Sequence, residues 1–218
     1  MGVKKIFPKM TPERQAKLKA AVQKRQLNLA VVLENVHDPH NVGAVLRSCD
    51  SVGVQEIYLL ISDPQIDVTD MFLSKRASSG ARKWIDVLLY RDMELCIRDV
   101  RRKYDRVLGT KLDTTSKVLY DVDLNGSVAI AFGNEHEGLS DQFAQNLDGN
   151  IEIPQYGMVQ SLNISVACAV VLFEALRQRR AAQQYDHEPD ARREELLKRF
   201  ETIQNEKIDD DFPKLISE

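Results

Sequence analysis

The chain has 218 residues, 43% hydrophobic and 29% charged, with a formal net charge of -3, which is enough to bury one main domain carrying short appendages. Its longest strongly apolar run, ISVACAVVLF at 164–173, is about half a membrane span, and no apolar signal core follows the basic N-terminus, so a soluble, cytoplasmic protein is expected. Cys49, Cys96 and Cys168 lie far apart without a C-x-x-C pair, which argues against a disulfide framework or a zinc knuckle and makes them small core residues.

Charge divides unevenly along the chain. Residues 1–25 hold eight Lys or Arg against one acid, Glu13, whereas residues 186–218 hold eleven acids against six bases. A basic N-terminal segment on a mildly acidic protein can meet phosphates locally, because counterion release depends on where the cations sit. TPERQAKLKAAVQKR (11–25) predicts a short basic helix with Thr11 as N-cap and Pro12 at its first position. LAVVLE (29–34) predicts a strand, and HDPHN a turn that delivers Asn41 as N-cap of a helix over 42–52. Next come strand EIYLLI (56–61), helix TDMFLSKRA (69–77), strand WIDVLLY (84–90) and helix DMELCIRDVRRKY (92–104). RVLGT (106–110) and SVAIAFG (127–133) read as strands, SDQFAQNL (140–147) as a short helix, NIEIP (150–154) as a strand and NISVACAVVLFEALRQRRAAQ (163–183) as a long helix. After Gln183 a polar helix runs into the acidic tail DDDFPKLISE, an extension of the same domain. Alternation of helices with almost continuously apolar strands predicts an α/β fold, a parallel sheet with helices on both faces.

In open α/β sheets, ligands bind at the carboxyl ends of the strands. The turns there are ENVHDPHNVGAVLR (34–47), GNEHEGLS (133–140) and PQYGMVQSLN (154–163), and none carries a dinucleotide or phosphate-loop glycine pattern. Arg47 lies four residues after Gly43, so its guanidinium can lean back over a residue without a side chain toward Asn41 and the helix N-terminus. A fork of donors beside free N–H groups suits a phosphate or a developing oxyanion, while pairing with Asp50 is the structural alternative. Glu135 is expected to turn inward, orienting Arg47 or a substrate hydroxyl, with His136 facing solvent. The adjacent residues of EHE lack the spacing of metal ligands, so no metal is expected. Ser161 and Asn163 flank Leu162 at the mouth of the most hydrophobic helix. One of them suffices as an N-cap, which leaves a polar side chain to grip a ligand.

Three stretches, NVGAVLRSCDSVGV, FGNEHEGLS and IPQYGMVQSLNISVACAVVLFEA, resemble in content and order the motifs of the SPOUT methyltransferase superfamily, SpoU/TrmH branch, over about residues 27–180. The resemblance implies S-adenosyl-L-methionine-dependent 2'-O-methylation of a ribose in RNA, most like the enzymes that methylate a guanosine in the D-loop of tRNA. It also implies a deep trefoil knot at the C-terminal end of the sheet and a homodimer packed through knot helices. Carried over residue by residue, the catalytic set falls on Asn41, Arg47, Glu135, Ser161 and Asn163, and cofactor contacts on Thr110, Gly133, Ile153 and Leu162. The sulfonium supplies the electrophile, so the chemistry needs no metal. The expected organisation is a basic RNA-binding extension at 1–26, a catalytic domain at 27–183 and a helical, acidic extension at 184–218. Arg47 would clamp the adjacent phosphate and stabilise the developing alkoxide. The rival readings are an rRNA ribose methyltransferase of the same branch and a non-catalytic RNA-binding protein on the same fold. The helix ISVACAVVLFEAL is itself apolar around nearly its whole circumference, more than one sheet face can cover, which independently calls for a partner surface.

Overall fold

The structure, a computed structural model, describes residues 10–66, 68, 80–111, 113–135, 137–159, 161–206 and 214–216. The helix expected at 69–77 and His136 lie outside the described residues. The described strands are β1 (Gln26–Glu34), β2 (Val54–Leu60), β3 (Asp86–Tyr90), β4 (Arg106–Gly109), β5 (Lys117–Val118), β6 (Val128–Phe132), β7 (Gly149–Glu152) and β8 (Lys214–Leu215). They form one sheet in the order β5–β7–β4–β6–β1–β2–β3–β8, and each neighbouring pair runs parallel. The carboxyl ends of the strands therefore share one rim.

Alternation within β1 explains the layers. Leu29, Val31 and Leu33 point into a core shared with α2 (Pro39–Val52) and α5 (Ile164–Ala181), which contribute Val45, Leu46, Cys49, Cys168, Val171 and Leu172. Ala30 and Val32 point the other way, into a core with α3 (Met93–Lys103) and α4 (Asp141–Ala144), which bring Cys96, Val100 and Phe143. Side chains of this size stabilise by about 1.5–3 kcal/mol each when fully buried, so a strand apolar on both sides is stable only between two helical layers. All three cysteines are free and buried, as expected.

The cap of α2 differs from the sequence expectation. Asp38, not Asn41, is the N-cap and accepts from His40 N–H at 2.8 Å. Pro39 occupies the first helical position, where its missing N–H costs nothing, and it holds Asp38 extended at ψ 117. The helix thus begins at Pro39, and the Asn41 side chain is released for other bonds.

The terminal segments meet at the amino ends of the strands, away from the rim. Leu18 and Val22 of α1 (Pro12–Gln23) pack with Leu196 and Phe200 of α6 (Ala191–Glu206), against Leu27 and Trp84. Thr11 caps α1 as expected. The basic residues of this segment do not form one free face. Arg25 is buried, donating to Val54 C=O at 2.9 Å and to Asp50 at 2.6 Å. Burial pulls its pKa down and Asp50 pushes back. Lys24 pairs with Asp186 at 3.1 Å, and Arg14 donates to Gln204 at 3.0 and 2.7 Å. Lys17 and Lys19 remain exposed. Within the acidic tail, Lys214 and Leu215 add a parallel edge strand beside Leu88 and Leu89. Among the described residues no helix is long and apolar enough to cross a membrane.

Candidate active site

The three turns singled out in the sequence converge on the rim. Asn41, in the first turn of α2, is 9% exposed and donates from Nδ2 to Glu135 Oε1 at 2.5 Å. Its Oδ1 accepts from Asn163 Nδ2 at 3.1 Å. Asn163 is the N-cap of α5, and its Oδ1 accepts from the Ser165 N–H at 2.9 Å and from the Ser165 hydroxyl at 2.6 Å. One asparagine thus caps a helix and joins two motifs. Ser161 takes no part in the cap and lies exposed at the rim.

Between the carboxyl ends of β4, β6 and β7 opens a cleft of about 380 Å³, lined by Thr110, Ile153, Ser161, Leu162 and Glu135 among others. Three of the four expected cofactor contacts line it. Gly133 lies behind the wall, where a Cβ would come within 1.9 Å of the Gly138 carbonyl carbon. Thr110 is tied down by its N–H and hydroxyl, both donating to Ala131 C=O at 3.0 and 3.2 Å. At the mouth the Lys111 ammonium pairs with Asp141, whose carboxyl it holds below the ordinary range. The walls are apolar at Phe132, Leu139, Ile151 and Ile164, and the volume lies within the usual range of small-molecule sites.

A residue that the sequence reading passed over holds this cleft in shape. Glu34 closes β1, is 1% exposed, and accepts from the Ser140 N–H at 2.8 Å and hydroxyl at 2.6 Å. Ser140 in turn caps α4. A buried carboxylate therefore anchors the far end of the GNEHEGLS turn to the central strand. The signal was present in the sequence: an acid ends an otherwise apolar strand at the ligand-binding rim.

The SpoU rRNA Methylase family matches residues 28–173, which span all three turns. The chain belongs to that family. A tRNA (guanosine(18)-2'-O)-methyltransferase of Thermus thermophilus is 39% identical over 176 residues, 81% of this chain and 88% of the relative. Among solved structures, the A. aeolicus TrmH/SpoU tRNA modifying enzyme is similar with a TM-score of 0.76 and 28% identity, over 88% of this chain and 96% of that one. An AdoMet-bound rRNA methyltransferase from Sinorhizobium meliloti is similar with a TM-score of 0.61 and 28% identity, over 75% and 60%.

Within this SpoU domain, one expectation about the site needs correction. Glu135, expected to turn inward and orient Arg47 or a substrate hydroxyl, does not bond Arg47: it is exposed in the cleft, and among the described residues it accepts from Asn41. The Asn41 amide, released from capping, takes the carboxylate that an arginine was expected to hold. Arg47 is exposed on α2, and among the described residues no hydrogen bond or ion pair engages its guanidinium. The structural alternative also fails, since Asp50 is held by Arg25. In RQRR (177–180), Arg179 is 0% exposed, and carbonyl oxygens of Leu124 and Gly126 and side-chain oxygens of Gln26 and Asn28 surround it. Burial lowers its pKa to about 10.

Proposed function

We propose that the protein transfers a methyl group from S-adenosyl-L-methionine to a ribose 2'-oxygen in RNA, and that its substrate is a guanosine in the D-loop of tRNA. The observation that carries this reading is the hydrogen-bonded series Asn163–Asn41–Glu135, which ends in a cleft at the strand rim that Glu135 and Ser161 line. The tRNA assignment is supported by the activity for which the Thermus relative is named, a protein that this chain matches over most of both lengths.

The lining suits the cofactor. The adenosyl group carries no phosphate, so apolar walls and main-chain groups at Thr110, Ile153 and Leu162 suffice, with Gly133 keeping the turn behind them close and without a glycine-rich cradle. When bound, it supplies an electrophilic methyl on sulfur. α5 opens onto the cleft with its N-terminal, partially positive end, which favours charge developing on an attacking oxygen. Arg47, which no side chain among the described residues engages, is the residue we assign to the substrate phosphate and the developing alkoxide. Asn41 and Asn163 hold the walls of the site together, and Ser161 is free to meet the ribose. In this reading residues 27–183 form the catalytic domain, with extensions at 1–26 and 184–218, and the chain forms a trefoil knot at the C-terminal end of the sheet. The insertion of β7 between β4 and β5, immediately before the 154–163 loop, supports that path.

We also assign the working form as a cytoplasmic homodimer. Val166 and Phe173, on one stripe of α5, are 47% and 50% exposed, and Tyr156, Met158 and Val159 in the loop before that helix are exposed as well. The test is methyl transfer from labelled cofactor to unmodified bulk tRNA and to rRNA. Label in tRNA supports the reading; label in rRNA alone replaces the substrate, and cofactor binding with no transfer to either removes the enzyme.

A further inference from the structure

A second cavity, also of about 380 Å³, opens at the opposite rim, between the amino ends of β2 and β3 and the helix α6. It shares no residue with the cleft at the carboxyl ends. From the sheet it is lined by Gln55, Glu56 and Asp86, and from α6 by Arg192, Glu195 and Arg199. Gln55 is 3% exposed, and its neighbours fix the orientation of its amide. Nε2 donates to the Trp84 carbonyl at 3.2 Å and to Asp86 Oδ2 at 3.0 Å, and neither oxygen can do anything but accept. Oε1 is therefore the end left over, buried and without a hydrogen-bond partner among the described residues. An unpaired buried acceptor is costly, and this one belongs to the wall of a space that can admit a donor.

The helix side has groups to match. Arg199 Nη1 pairs with Asp86 at 2.6 Å, while its Nε is buried and unpartnered among the described residues. No hydrogen bond or ion pair among the described residues engages Arg192 or Glu195. Arg192 stands in the first turn of α6, where the helix dipole disfavours a cation, so the stability of the helix does not account for it. Glu56, by contrast, is already filled, accepting from the Tyr58 and Tyr104 hydroxyls and from Lys103. Three carboxylates thus face three cations once Lys103 is counted with Glu56, and the lining carries no net charge. A phosphate would be repelled by half of it and a polyamine by the other half. What is unmet is an acceptor pair, Gln55 Oε1 and Glu195, beside a donor pair, Arg192 and Arg199 Nε.

We propose that this cavity binds a free α-amino acid as its zwitterion, with the carboxylate on Arg192 and Arg199 Nε and the ammonium on Gln55 Oε1 and Glu195. The two charges of such a ligand sit on neighbouring carbons, and the apolar side chains of Leu27 and Leu196 complete the lining. A bound molecule bridges α6 to the sheet. Because Leu196 and Phe200 of α6 also hold Leu18 and Val22 of α1, occupancy stabilises both terminal helices together. The assignment is independent of the methyl-transfer reading above.

The test is titration of the full chain with the common L-amino acids, one at a time, followed by NMR at the Gln55 side-chain amide, which reports on this cavity and not on the cleft. At least one amino acid gives a saturable shift with a dissociation constant of about 1 mM or tighter. Its N-acetyl derivative, which lacks the cation, and its amide, which lacks the anion, each bind at least about tenfold more weakly. Arg192→Glu puts an acid where the dipole of α6 favours one, so the fold is kept, and it weakens the amino acid by about tenfold or more. Arg192→Ala, which removes the fork without adding a charge, weakens it by about fivefold or more. No saturable shift from any amino acid up to about 20 mM overturns the proposal. So does binding of the acetylated or amidated derivative as tight as that of the parent amino acid, since the ligand would then be a simple cation or anion. Undiminished binding by both Arg192 variants overturns it as well.

Discussion

Replacing Gly133 by alanine tests whether the turn behind the cleft must be as tight as it is. The added Cβ would lie 1.9 Å from the Gly138 carbonyl carbon, 2.0 Å from its oxygen and 2.1 Å from the Leu139 nitrogen. These are backbone atoms and cannot swing aside as a side chain could. Gly138 is held by the N–H that it donates to Asn134 C=O at 3.0 Å, and Leu139 is 2% exposed in the core beneath. Relief therefore means moving the GNEHEGLS turn outward by roughly an ångström, against the clamp of Glu34 on Ser140. Overpacking of this kind costs about 1–3 kcal/mol, and the same displacement spreads the wall against which the cofactor would lie. Titration calorimetry should show S-adenosyl-L-methionine binding weakened by about 10–100-fold, equivalent to about 1.4–2.7 kcal/mol. Gly157→Ala is the control, because nothing lies within 4 Å of its Cβ position. An unchanged dissociation constant for Gly133→Ala, with no fall in melting temperature, would refute the placement of the cofactor in this cleft.

Arg47→Ala should abolish methyl transfer and leave cofactor affinity within about threefold, since the proposed partner of the guanidinium is RNA; loss of cofactor affinity in calorimetry would remove Arg47 from that role. Arg179→Met would strand the buried Leu124 carbonyl and Gln26 side-chain oxygens, together costing about 2 kcal/mol or more, so unfolding should come at least about 4–8 °C lower by calorimetry. The change should leave the salt dependence of tRNA binding unaltered, because Arg179 is enclosed and cannot touch a phosphate. Val166→Asp with Phe173→Asp should convert a dimeric mass in light scattering to a monomeric one, and a parent protein that is already monomeric at micromolar concentration would defeat the dimer.

Much of the fold was legible because it depends on local pattern. The β-branched run at 29–34 is the middle strand of the sheet, and Thr11 with Pro12 starts α1 as read. The functional turns were legible for a related reason: polar residues such as Asn41, Glu135 and Asn163 stand at the ends of apolar runs, where no core requires them. What escaped the sequence is long-range pairing. Asn41 looks like a cap until Pro39 shows that the helix has already begun, and its true partner lies 94 residues away. Arg25 reads as one of the cations of the basic segment, and nothing in the neighbourhood of Arg25 or Arg179 announces that Asp50, Gln26 and the carbonyls of Leu124 and Gly126 will engage them. The two-residue strands Lys117–Val118 and Lys214–Leu215 carry no periodicity to detect and exist only because β7 and β3 present open edges. The N-terminal cations illustrate the same limit. Their charge was plain, but Gln204 of α6, Asp186 and Asp50 engage Arg14, Lys24 and Arg25, while Lys17 and Lys19 of α1 stay exposed.

The central claim is that the methyl group goes to a ribose oxygen of tRNA, and a matched pair of transcripts tests it most directly. One carries the D-loop guanosine as a ribonucleotide, and the other carries 2'-deoxyguanosine at that position alone. With labelled S-adenosyl-L-methionine and the full chain, the account predicts label in the first transcript, recovered as 2'-O-methylguanosine on digestion, and none in the second. Equal labelling of the two would place the methyl on a base or at another position and contradict the account.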